Sequence, residues 1–95
     1  MDSFYDALFG LMLGDAIRQE VVGRDDVGEY TIDTCYTVDC GWETAVWKGD
    51  DSPMIVVARY ATKEEAQEGH SDWCAACLLN PACAWSVQLD EYVNF

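Results

Sequence analysis

Ninety-five residues with eighteen acids against five bases carry a formal net charge of -13. That is too little chain for a second core and too few cations to hold a polyanion such as nucleic acid. With 51% hydrophobic and 13% aromatic residues the chain is no disordered acidic segment, so a single folded acidic α+β domain over residues 1–95 is expected.

Asp2 or Ser3 can cap a first helix running to about Glu20, with Phe4, Leu8, Leu11, Met12, Ala16 and Ile17 on one apolar stripe. Tyr5, Phe9 and Leu13, four apart, make a neighbouring face apolar too. Such a helix is either sunk between other elements or part of an interface, and Phe9 and Leu13 are the candidate seam of a homodimer or partner contact. The longest apolar run, Ala7 to Leu13, is far too short to cross a bilayer, and acids lead it where an export signal carries bases. No membrane partner is expected, and a cytoplasmic location with reduced thiols follows.

Val21 to Gly28 reads as a polar turn region. Glu29 to Asp39 alternates, with Tyr30, Ile32, Tyr36 and Val38 facing a core and Glu29, Thr31, Asp33, Thr37 and Asp39 facing water. Cys40-Gly41 connects it to a second strand, Trp42 to Lys48, and Gly49 to Pro53 makes another turn. Met54 to Tyr60, apolar on both faces, predicts a central strand. Thr62 and Glu65 form a capping box for a helix that Asn80-Pro81 ends, and Trp85 to Val93 alternates as a last strand. The predicted order is α-β-β-β-α-β, a four-stranded, mainly antiparallel sheet with two packed helices.

The second helix carries the chain's only histidine, His70, with Cys74 and Cys77 on the same stripe and Cys83 just beyond. Those ligand types suit zinc, with Cys35 or Cys40 as a further ligand, but seven residues of helix span about 10.5 Å between His70 and Cys77. Buried small hydrophobes are the simpler reading of the cysteines, so no metal and no cofactor is expected. Cys74-Ala-Ala-Cys77 has the C-x-x-C form of thiol oxidoreductases, yet it lies late in its helix, at the dipole end that opposes a thiolate. With one histidine, and no phosphate loop, nucleophile elbow or metalloprotease motif, the residues predict no enzyme. A base at His70 would need a partner such as Cys74 or Glu43.

Trp42-Glu43-Thr44-Ala45-Val46, then Arg59-Tyr60, Thr62, Glu65-Ala66, Gly69-His70 and Trp73, resembles a group of small bacteriophage proteins of unassigned function. The resemblance covers about a third of the chain, implies a phage or mobile-element origin and supplies no catalytic residues. Together with the charge it leads to an expectation: a protein that binds and blocks a basic, nucleic-acid-binding surface of a host protein, as DNA-mimicking inhibitors of CRISPR or restriction systems do. The acidic face for that partner would comprise Glu29, Asp33, Asp39, Glu64, Glu65, Glu68 and Asp72. The alternatives are a zinc-stabilised interaction module using Cys74, Cys77, Cys83 and His70, and a structural homodimer joined through the first helix.

Overall fold

The structure of the protein, a computed structural model, describes residues 18–95. Four strands follow one another directly, β1 (Arg18–Val27), β2 (Tyr30–Thr37), β3 (Gly41–Lys48) and β4 (Ile55–Tyr60), and pair in that order as an antiparallel meander. The helix α1 (Lys63–Cys77) lies against all four. A two-stranded hairpin, β5 (Cys83–Ser86) and β6 (Glu91–Asn94), follows.

This architecture corrects the expected one. Among the described residues there is one helix, and the order is β-β-β-β-α-β-β. Most of the first predicted helix, with Phe9 and Leu13, lies outside the described residues, but its last part, Arg18 to Glu20, is strand. Val21 to Val27 is the body of β1, not a turn, and only Gly28 and Glu29 separate it from β2. The polar run is drawn into the sheet by its partner: Arg24 pairs with Asp33, Asp25 with Ile32 and Asp26 with Thr31. Charges and register irregularities between Arg18 and Glu20 and between Val21 and Gly23 are ordinary features of an edge strand, which hides them from an apolar-alternation reading. The predicted last strand is likewise split. Leu89 N–H donates to Ser86 Oγ and Asp90 takes a left-handed conformation, so the chain turns back and Trp85 pairs with Tyr92. The fourth strand of the main sheet is thus β1. β4 is an edge strand, covered in part because Val87 N–H donates to Val56 O at 2.9 Å.

One core lies between α1 and the sheet, built on Tyr30, Ile32, Val46, Ile55, Val57, Cys77 and Ala84. Tyr30 OH donates to Pro81 O at 2.5 Å and its ring meets Phe95 edge-on, which fixes where the chain leaves the helix. On the opposite face Cys35, Ala45 and Trp47 are buried with Met54 against them. Both faces of the central strands are therefore covered, and Asp33, expected in water, is fully buried (0% exposed).

The helix start is as predicted. Thr62 Oγ1 accepts from Glu65 N–H and Glu65 Oε1 accepts from Thr62 N–H, a reciprocal cap worth about 1 kcal/mol. Gly69, inside the helix, stands where any Cβ would overlap the Tyr60 ring. A glycine-to-alanine change in a helix normally stabilises by ~1 kcal/mol. Here the sign should reverse: Gly69→Ala is expected to lower the denaturation midpoint, and the same change in a Tyr60→Ala background to raise it. A stabilising Gly69→Ala in the otherwise native chain would show that the ring does not occupy that space.

Candidate functional site

Beneath α1 a chain of polar side chains runs across the sheet. Asp25 Oδ2 lies 2.8 Å from His70 Nε2, and His70 Nδ1 lies 2.7 Å from Thr34 Oγ1. Thr34 Oγ1 is 2.6 Å from Thr44 Oγ1, which is 3.0 Å from Tyr60 OH. The chain takes one residue from each of β1, β2, β3 and β4 and joins them through the helix.

Local sequence explains how the chain is assembled. Thr34 and Thr44 are cross-strand partners in the β2–β3 register, so two adjacent core-facing hydroxyls meet directly. Gly23, at the irregularity in β1, lets the imidazole lie against the strand, since a Cβ there would stand 2.9 Å from His70 Nε2. The same irregularity turns the strand locally, as bulges do, and Asp25 meets the ring from beyond it. Gly69 makes the matching space for Tyr60 at the other end.

The bonds have two complete polarities. An ionised carboxylate only accepts, so with a neutral ring Nε2–H donates to Asp25 and Nδ1 accepts from Thr34, which accepts from Thr44, which accepts from Tyr60. When Nε2 carries a cation instead, Nδ1–H donates to Thr34 and the hydroxyls turn the other way, toward Tyr60. Asp25, His70 and Thr34 have the relative placement of an acid, a base and a hydroxyl nucleophile. Thr34 is fully buried (0% exposed), so no substrate reaches that hydroxyl, and the arrangement ties helix to sheet.

Tyr60 marks the outer end. Burial pushes its hydroxyl pKa up, the Thr44 hydrogen bond opposes this, and the charge of Asp72 adds to the rise. Around it Glu65, Glu68, Gly69 and Asp72 line a shallow depression. Cys74 stands at the opposite end, beside Asp25. His70, Asp25 and Cys74 offer ligand atoms that all lie within 4.8 Å of one another. Burial raises the Cys74 thiol pKa, and the Asp25 charge raises it further. Cys77 is pushed up to about 11, by burial first and then by Cys74.

The predicted acidic residues separate into groups. Glu64, Glu65, Glu68 and Asp72 are exposed on α1, and Glu65 is committed to the cap. Glu29 is exposed in the β1–β2 turn and pairs with Lys48 at 3.8 Å, and Asp39 is exposed between β2 and β3. Asp33 leaves the set because it is buried. Of the cysteines, only Cys74 joins His70. Cys77 lies in the core, Cys35 on the far face of the sheet, and Cys40 and Cys83 at the surface. The acid at His70 is Asp25, which sequence placed in a solvated turn, and not Glu43. Thr34, Thr44 and Tyr60 were also missed, and their one signal was two threonines falling on core-facing positions of adjacent strands. No protein-family model, curated protein or solved structure matches the chain.

Glu43 is instead buried on the far side, where Arg59 Nε donates to its Oε2 at 3.3 Å and its Oε1 has no partner among the described residues. Burial raises its pKa above the ordinary 4.5, with Arg59 opposing. A carboxyl that holds its proton more tightly folded than unfolded favours folding below its unfolded pKa and loses that contribution as pH rises through the folded value. The stability of Glu43→Gln relative to the native chain should therefore grow from acid toward neutral pH. Parallel stability curves for the two chains would show that the buried carboxyl is not perturbed.

Proposed function

We propose that the protein is a binding module whose acidic helix face engages a basic surface on another protein. The observation that carries this is the outer stripe of α1. Glu64, Glu68 and Asp72 stand one helical turn apart, exposed, and none has an ion-pair partner among the described residues. Like charges at this spacing cost a few tenths of a kcal/mol per pair in the free protein. Lys63, Lys48 and Arg59 are committed elsewhere, to Glu20, Glu29 and Glu43 respectively. A cationic partner would relieve the repulsion and be steered toward it.

The finer reading is that the partner's surface is one that otherwise holds nucleic acid, in a host defence component such as a CRISPR or restriction protein. It is supported by the net charge of -13 and by the sequence resemblance to small phage proteins. The protein then acts by occupying that surface.

Immobilised protein exposed to a bacterial lysate at low salt should retain proteins that rising salt or added duplex DNA releases. Glu64→Lys, Glu68→Lys and Asp72→Lys together should weaken capture by at least about tenfold, through slower association. A retained set indifferent to the triple reversal, to salt and to DNA would overturn the proposal.

A further inference from the structure

The geometry points to a divalent transition-metal site, with zinc as the natural occupant, formed by Asp25, His70 Nε2 and Cys74. This set differs from the one the sequence suggested. Cys77 and Cys83 do not join it, whereas Asp25 arrives from β1.

The arrangement carries the inference on several grounds. Carboxylate, imidazole and thiolate are all established zinc ligands, and three protein ligands with an open fourth position is a common coordination pattern. Bond lengths of about 2.0 to 2.3 Å in a tetrahedron need ligand atoms roughly 3.3 to 3.7 Å apart. The three atoms already lie within 4.8 Å of one another, with Asp25 and His70 at 2.8 Å. Coordination requires Asp25 to move slightly away from His70 and the set to draw within about 3.7 Å, and the Asp25 side chain, 61% exposed, has room to turn. His70 and Cys74 are one helical turn apart, so they face the same point.

The hydrogen-bond chain supplies what a metal-binding imidazole requires. Such a ring donates its other N–H to a fixed acceptor, and Thr34 Oγ1 stands 2.7 Å from Nδ1 with Thr44 and Tyr60 behind it. Gly23 puts no Cβ at the Nε2 edge, where one would stand 2.9 Å from the nitrogen. Without a cation, a thiolate at Cys74 would sit beside the Asp25 carboxylate. A bound metal turns that repulsion into shared attraction, and the thiol proton passes to solvent as the sulfur binds.

The test uses the full chain, purified reduced and metal-free, titrated with Co²⁺ alone and then back-titrated with Zn²⁺. One equivalent of Co²⁺ should bind, with a thiolate-to-cobalt charge-transfer band and visible bands of a tetrahedral ion, all displaced by one equivalent of Zn²⁺. Cys74→Ser should remove the charge-transfer band, and Asp25→Asn, a change at an exposed side chain, should weaken binding by about tenfold or more. Thr34→Val should keep the band but weaken binding ~10- to 100-fold, as loss of the group that orients the ring does. Cys40→Ser and Cys83→Ser should change nothing. The site is refuted if the native chain binds no cobalt, or if the charge-transfer band survives Cys74→Ser, or if it is lost in Cys40→Ser or Cys83→Ser.

Discussion

His70 is a polar ring in a place where a polar ring is costly, pressed between the helix and the main sheet with both nitrogens turned toward protein. Each of its bonds and those beyond it is worth only about 1 kcal/mol net, but leaving such a group unpartnered costs about 1 to 3 kcal/mol. The alternatives to this exact alignment are therefore poor. A shift of α1 along the sheet by one turn would part the buried imidazole from both Thr34 and Asp25. Two glycines are shaped to the chain at its ends, Gly23 under the imidazole and Gly69 under the phenol ring. The apolar contacts of Tyr30, Ile32, Val46 and Cys77 supply adhesion between helix and sheet, and the hydrogen bonds select one seating.

That seating decides what the surface shows. With His70 directed inward, the same helix turns Glu64, Glu68 and Asp72 outward and holds Cys74 half-buried beside Asp25. The electrostatics are uneven as a consequence. Cations are used within the molecule, by Lys48 at the turns, Lys63 across to β1, Arg59 against buried Glu43, and Arg24 over the Trp47 ring. The outer helix face is left with unbalanced negative charge, which is the property a cationic partner would meet.

How much of this was legible follows from the range of each interaction. The Thr62 to Glu65 cap lies within four residues and could be read directly, and the β2–β3 hairpin announces itself by alternation. β1 could not be read, because Arg24, Asp25 and Asp26 become strand by pairing with Asp33, Ile32 and Thr31, a tertiary fact that no local pattern records. Asp33 misled for the opposite reason: strict alternation implies one wet face, whereas both faces of β2 are covered. His70 and Cys74 were recognisable as neighbours on a helix. Their third companion was not, because Asp25 lies 45 residues from His70 in sequence and meets it only once β1 has bulged at Gly23.

Whether His70 anchors a continuous hydrogen-bond chain, buried at Thr34 and Thr44, is decided by nuclear magnetic resonance of the side-chain protons themselves. Hydroxyl protons of threonine in contact with water exchange too fast to be seen, whereas enclosed, bonded ones persist. Resolved hydroxyl resonances are expected for Thr34 and Thr44, with a through-space connection from Thr34 to the His70 ring, in the folded protein at neutral pH. A well-folded spectrum in which both hydroxyls exchange freely with water, or in which the His70 ring shows no proximity to Thr34, would contradict it.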